Sequence, residues 1–162
     1  QYKYLEEHIA QKKAVYERYR DGLKGLPVQM NPVVEGTEPN YWLSALIIDP
    51  DAMCQQVRGE ADVCYRPEEG KSCPTEILEA LSSINAEGRP IWKPMHEQPL
   101  FRMNPFITRE GNGRAKTNAY IEGGCVDVGM DLFERGLCLP SDNKMTAEEQ
   151  DVVIEIIKNC FK

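Results

Sequence analysis

Seven of the eight residues from Tyr41 to Ile48 are apolar, and Ser44 is the single interruption. A run of that length is strand-sized and far short of the ~18 residues a membrane helix needs. Asp49 and Pro50 close it, and proline cannot continue a ladder. A strand apolar on successive positions needs cover on both faces. This chain must therefore set other elements against Tyr41–Asp49, and the rest of the sequence supplies helices.

Tyr2 to Leu23 predicts a long helix with Leu5, Ile9, Tyr16, Tyr19 and Leu23 near one face, ended by Gly22, Gly25 and Pro27. The tyrosines read as a buried stripe rather than a ligand box. Leu26 to Asn40 reads as extended connection, with a short strand at Val33. Asp51 to Ser72 is irregular, with a helical turn at Cys54–Val57. Pro74 to Asn85 predicts an amphipathic helix burying Ile77, Leu78, Leu81 and Ile84, with Gly88 as its stop. Pro105 to Gly124 predicts an exposed loop. Val126 to Arg135 reads as a short helix with Val128, Leu132 and Phe133 inward and Gly136 as cap, followed by a strand at Leu137–Leu139. Thr146 and Glu149 form a T-x-x-E capping box ahead of a last helix with Val152, Val153, Ile156, Ile157 and Cys160 on its apolar face. The fold class expected is α/β, of an α+β-like kind, with helices packed on a small sheet.

With 162 residues the chain fits one domain. A formal charge of -7 argues against nucleic acid as a partner, and no run is long enough for a membrane span. Six cysteines contain no CxxC pair, so neither a zinc-finger nor a redox motif is read. Reduced thiols in a cytoplasmic protein are the expectation. Gln1 opens directly into helical pattern without a cap residue, as expected of a chain cut from a longer one.

Chemistry concentrates in Arg89-Pro-Ile-Trp-Lys-Pro-Met-His-Glu-Gln-Pro-Leu-Phe101. Pro90, Pro94 and Pro99 stiffen this tract around an indole (Trp92), a cation (Lys93), an imidazole (His96) and an amide (Gln98). A rigid loop with convergent polar groups suits a ligand site; the competing reading puts Trp92 in the core and His96 on the surface. His8 reads as a solvated helix residue, and the two histidines are too distant to make a metal site. In Glu134–Asp142, Ser141 and Asp142 read as turn or cap residues. Nucleophile elbow, Walker loop and dinucleotide fingerprint are all absent. Taken alone, these residues describe an α/β domain of unassigned activity.

The same tract resembles the R-P-x-W-K-P-M-H-x-Q-P segment of the DegT/DnrJ/EryC1/StrS sugar aminotransferases. Leu132-Phe-Glu-Arg-Gly-Leu-Cys-Leu-Pro-Ser141 resembles their L-F-x-x-G-L-C-L-P-S segment, Asn40-Tyr-Trp-Leu43 their N-Y-W-L, and Met145–Gln150 with the helix beyond it their C-terminal ending. The resemblance implies the C-terminal small domain of a fold-type I aminotransferase, with residues 1–24 as connecting helix and 25–162 as the small domain. It implies pyridoxal phosphate held as a Schiff base by a lysine of a large domain absent here. It implies transfer of an amino group from glutamate to a nucleotide-linked 4-keto sugar, best matched by the bacterial UDP-sugar subgroup of cell-surface glycan synthesis, in a homodimer. None of the ten lysines matches the cofactor motif, so no cofactor is expected on this chain alone. Substrate contacts carried over are His96 first, then Lys93, Trp92, Gln98 and Tyr41. The residues 51–72 and 105–124 do not match the common pattern. A second reading is a free-standing nucleotide-sugar or protein-binding module. The coding sequence upstream of Gln1 separates it from the enzyme. A third, a cysteine-bridged secreted domain, is separated by counting free thiols.

Overall fold

The computed structural model describes residues 2–59, 61–101, 104 and 127–162; the expected loop Pro105 to Gly124 lies outside them. The chain divides into two compact units, Gln1–Ile91 with Arg135–Lys162, and Trp92–Glu134.

In the first unit, a short 3-10 turn leads into α1 (Leu5–Gly22). Strands β1 (Val28–Met30) and β2 (Ser44–Ile48) follow. Then come β3 (Gln55–Arg58), β4 (Val63–Arg66), α2 (Pro74–Ser83) and β5 (Arg89–Pro90). The last elements in sequence are α3 (Val128–Arg135), which belongs largely to the second unit, β6 (Gly136–Leu139) and α4 (Ala147–Asn159). Among the described residues β1-β2-β6-β5 form one antiparallel sheet, and β3 and β4 a separate hairpin. The mixed α/β class is as expected.

Register puts Leu46 opposite both Met30 and Leu137, and Ser44 opposite Leu139. Directly opposed residues share a face, so Met30, Leu46, Ile48, Leu137 and Leu139 make one apolar surface. With them Tyr16, Tyr19 and Leu23 of the first helical segment, Ile77 and Leu81 of α2, and Val153, Ile154 and Ile157 of α4 form a single buried cluster. Polar groups inside it are mostly paired. The Tyr19 hydroxyl donates to the Pro140 carbonyl at 2.7 Å, and Gln150 Nε2 to the Val15 carbonyl at 3.1 Å. Ser44 Oγ is buried and makes no hydrogen bond with the described residues. Thr146 and Glu149 form the reciprocal capping box read from the sequence.

Several expectations are corrected. The central strand is shorter than Tyr41–Asp49, because Tyr41 takes a left-handed φ of 51° and breaks the extended run. The early strand lies at Val28–Met30, where backbone pairs with β2, while Val33 is exposed. Cys54–Val57 is not a helical turn: Gln55–Arg58 pairs with Val63–Arg66 across a turn in which Gly59 N–H donates to Asp62 O at 2.9 Å. The α2 helix stops at Ser83. Asn85 has φ 61°, Asn85 N–H donates to Ser82 O and Ala86 N–H to Leu81 O, a Schellman closure. Gly88, expected as that stop, instead allows close packing, since a Cβ there would lie 2.8 Å from Leu78 Cδ2 and 3.3 Å from the Cys138 carbonyl oxygen. Gly136 opens β6 rather than capping α3. Leu5, Ile84, Val128 and Val152, expected inward, are exposed. Val15 and Ile154 take buried places that the sequence reading passed over.

Candidate functional site

The proline-stiffened tract enters the second unit at Trp92 and folds as a local cage. Pro94 is extended, and Met95–Glu97 make one 3-10 turn, closed by Glu97 N–H to Pro94 O at 3.0 Å and Gln98 N–H to Met95 O at 3.1 Å. Proline fixes the entry torsion and surrenders only an amide that this turn does not use. Gln98 Nε2 donates to the Lys93 carbonyl at 3.3 Å and to Met95 Sδ at 3.5 Å. Its side chain therefore braces the turn from within. Phe101 N–H to Gln98 O at 2.9 Å carries the winding onward.

His96 is held by a residue the sequence reading did not select. Its Nε2 lies 2.5 Å from Asp127 Oδ2, and both side chains are only 13% exposed. Asp127 Oδ1 accepts the Met130 N–H at 2.9 Å, and the Asp127 carbonyl accepts the Asp131 N–H at 3.0 Å. One carboxylate thus caps α3 and fixes the imidazole. A carboxylate accepts hydrogen bonds only, so Nε2 carries a proton in this contact. Gly129 sits against Pro94, where a Cβ would fall 3.3 Å from Pro94 Cγ. The helix start and the proline turn are therefore locked together at two points.

His96, Glu97 and Asp127 bring three donor atoms within 4.8 Å of one another. The short His96–Asp127 contact ties two of them to each other, and the arrangement holds the imidazole in a fixed orientation. Trp92 is 66% exposed, which excludes its placement in a core. Lys93 is half-buried beside it in sequence.

Tyr41 belongs to the first unit. It is half-buried, its ring 4.9 Å from that of Tyr16 and tilted by 44°. It lines an open groove with Tyr16, Arg20, Asn31 and Val33. Asn40 Oδ1 accepts the Trp42 N–H at 3.0 Å and so supports the left-handed turn. The structure thus brings Trp92, Lys93, His96 and Gln98 onto one short tract, and Tyr41 stands in the other unit. Ser141 and Asp142 behave as turn residues: Asp142 Oδ1 accepts the Lys144 N–H at 2.7 Å, and the Ser141 carbonyl accepts from Lys12 Nζ. His8 is exposed beside Tyr4.

Asp127 was hidden because the helix was expected from Val126, which placed the aspartate inside rather than ahead of it. An Asp just before an apolar-periodic run is the signal that would have found it.

No family model matches the chain. In sequence it is 32% identical over 97% of its length to EpsN of Bacillus subtilis, described as a pyridoxal phosphate-dependent aminotransferase. It is 25% identical over 94% of its length to the GDP-perosamine synthase of Vibrio cholerae. It spans about a third of each relative, 32% in both cases. In structure it superposes on a DegT DnrJ EryC1 StrS aminotransferase from Brucella abortus with a TM-score of 0.63 and 16% identity, covering 98% of this chain and 32% of that one.

Proposed function

We propose that this chain belongs to the DegT/DnrJ/EryC1/StrS aminotransferases, which it resembles in sequence and fold, and that it is the substrate-facing, C-terminal small domain of such an enzyme. The whole enzyme moves an amino group from glutamate to the keto carbon of a nucleotide-linked sugar, and we assign the UDP-linked 4-keto class and a cytoplasmic homodimer. Residues 1–24 serve as the connecting helix and 25–162 as the small domain.

The observation that carries this reading is the caged tract Trp92–Gln98 with its oriented His96, set in a chain matching a nucleotide-sugar enzyme over 94% of its length. A nearly enclosed imidazole held by a carboxylate loses little entropy when it meets a hydroxyl or carbonyl of a substrate. The Lys93 ammonium offsets diphosphate charge. The exposed Trp92 indole offers a flat apolar face to a base or sugar ring. Gln98 acts as a positioning residue, because its amide braces the turn that carries the others.

Pyridoxal phosphate supplies an electron sink when bound, and it needs a lysine for attachment. Among the described residues no lysine is buried, and we assign the attachment to the remaining two-thirds of such an enzyme. The chain's own part is to bind and orient the sugar nucleotide.

The test uses the full-length protein. His96→Ala and Lys93→Ala are expected to raise KM for the nucleotide sugar about tenfold each, as loss of one charge-assisted contact implies. The half-reaction with glutamate alone, followed by cofactor absorbance, is expected to keep its rate. Loss of the glutamate half-reaction, or an unchanged sugar KM in both variants, would overturn the assignment.

A further inference from the structure

Outside the tract, Cys54, Cys73 and Glu76 converge in the first unit. One donor atom from each lies within 4.8 Å of the others. Both thiols are buried, Cys54 at 4% and Cys73 at 0% exposure. They come from separate parts of the chain: Cys54 immediately precedes β3, Cys73 is the N-cap of α2, and Glu76 sits in the first turn of that helix. Spacing of i to i+3 across a helix start places Cys73 and Glu76 on one side.

The backbone that presents them is fixed on both sides. Met53 and Ser72 form a parallel bridge, Cys54 N–H donates to Ser72 O at 2.9 Å, and Ser72 N–H donates to Ala52 O at 3.0 Å. Outer contacts orient the donors as well. Ser72 Oγ donates to Glu76 Oε2 at 2.9 Å, and Glu76 N–H points at Cys73 Sγ at 3.5 Å. Such supporting hydrogen bonds accompany ligands in metal sites.

We infer that Cys54, Cys73 and Glu76 form a binding site for a thiophilic divalent cation, of which Zn(II) is the fitting member. Two thiolates and a carboxylate suit Zn(II) and disfavour Mg(II) or Ca(II). Zn–S bonds of about 2.3 Å allow donors up to ~4.6 Å apart, and a tetrahedral site sets sulfurs ~3.8 Å apart. The three donors therefore need to draw in by roughly 1 Å or less. On binding, each thiol gives its proton to water and two Zn–S bonds form, with Glu76 supplying the third ligand. Glu76 is only half-buried, whereas both thiols are enclosed. The sequence spacing, too long for a recognised motif, concealed the pair. This inference stands apart from the aminotransferase reading, because none of the three residues lies in the tract.

The test is a Co(II) titration of the reduced chain in the absence of oxygen, followed by back-titration with Zn(II). One equivalent of Co(II) is expected to give a thiolate-to-metal charge-transfer band with intense visible bands, and one equivalent of Zn(II) to bleach them. Cys54→Ser with Cys73→Ser is expected to abolish the bands, and Cys64→Ser to leave them, because Cys64 is exposed on the hairpin. Should the double variant fail to fold, alkylation of the unaltered chain decides. Zn(II) is expected to slow modification of Cys54 and Cys73 at least tenfold and leave Cys64 unaffected. No band at one equivalent, a band surviving in the folded double variant, identical labelling with and without Zn(II), or a Cys54–Cys73 disulfide that forms in preference to metal binding would each overturn it.

Discussion

Tyr19 lies wholly inside the first unit, and burial pushes its phenol well above the ordinary value, against a smaller opposing effect of Gln150. Cys138 on β6 is likewise raised by burial. In the unfolded chain these groups lose their protons near pH 10 and pH 8.5 respectively. Above those values the unfolded state binds fewer protons than the native state, so stability falls as pH rises. Urea melts in reductant are expected to show a plateau below about pH 8 and a declining midpoint toward and past about pH 10. Tyr19→Phe is expected to lessen the upper part of that decline, to which Tyr16 and Tyr65, also raised by burial, contribute, at a cost of ~1 kcal/mol for the lost bond to Pro140 O; an equally steep decline in the variant would refute the assignment. Asp127 illustrates a different role, joining helix cap and imidazole. Asp127→Ala is expected to cost about 1–2 kcal/mol locally, read as faster hydrogen exchange at Met130 with the first unit's core amides unchanged. The Trp92–Gln98 tract was legible as a proline-stiffened segment, and it folds as a tight local turn. The contact that holds its imidazole was not legible: His96 and Asp127 are separated by 31 positions, and no periodicity connects them.

Helices announced themselves by spacing and by caps, because their apolar faces are set by local sequence. Thr146 and Glu149 mark α4 to the residue. The β3–β4 hairpin did not announce itself, since its strands are largely exposed and show no alternation of buried and open positions strong enough to read. A strand stabilised by its neighbour's backbone leaves little hydrophobic trace. Helix ends were harder still. Gly88 looked like the stop for α2, but Asn85 adopts the left-handed conformation and closes the Schellman bonds, with Gly88 reserved for contact with Leu78 and the Cys138 carbonyl. Asparagine tolerates φ 61° less well than glycine. Asn85→Gly is therefore expected to stabilise the first unit by about 0.5–1 kcal/mol, seen as a higher urea midpoint at constant slope. A lower midpoint would show that the Asn85 side chain contributes more than its backbone conformation costs.

At the scale of the molecule, fold class was legible because one apolar strand demanded helical cover, and three helices supply it on the face that carries Leu46 and Ile48; the expected cover on both faces is not met to the same degree, since Ala45 and Ile47 are only half-buried. The proposed division of labour over the cofactor can be tested on the same core. A lysine that holds pyridoxal phosphate must be desolvated enough to lose its proton near neutral pH, which takes enclosure and neighbours that lower its pKa. The described lysines lie on the surface or half-buried, several in salt bridges or hydrogen bonds: Lys71 with Glu68, Lys158 with Glu155, Lys12 with the Ser141 carbonyl. Adding one equivalent of pyridoxal phosphate to this chain, with borohydride to fix any adduct, is expected to leave label scattered at low occupancy over several lysines in peptide mass spectra. A full-length relative carrying the remaining two-thirds is expected to concentrate label at a single lysine outside the region homologous to this chain. Stoichiometric labelling of one lysine within these 162 residues would instead mean that this core can desolvate an amine by itself, and the division of labour proposed between the small domain and the rest of the enzyme would have to be abandoned.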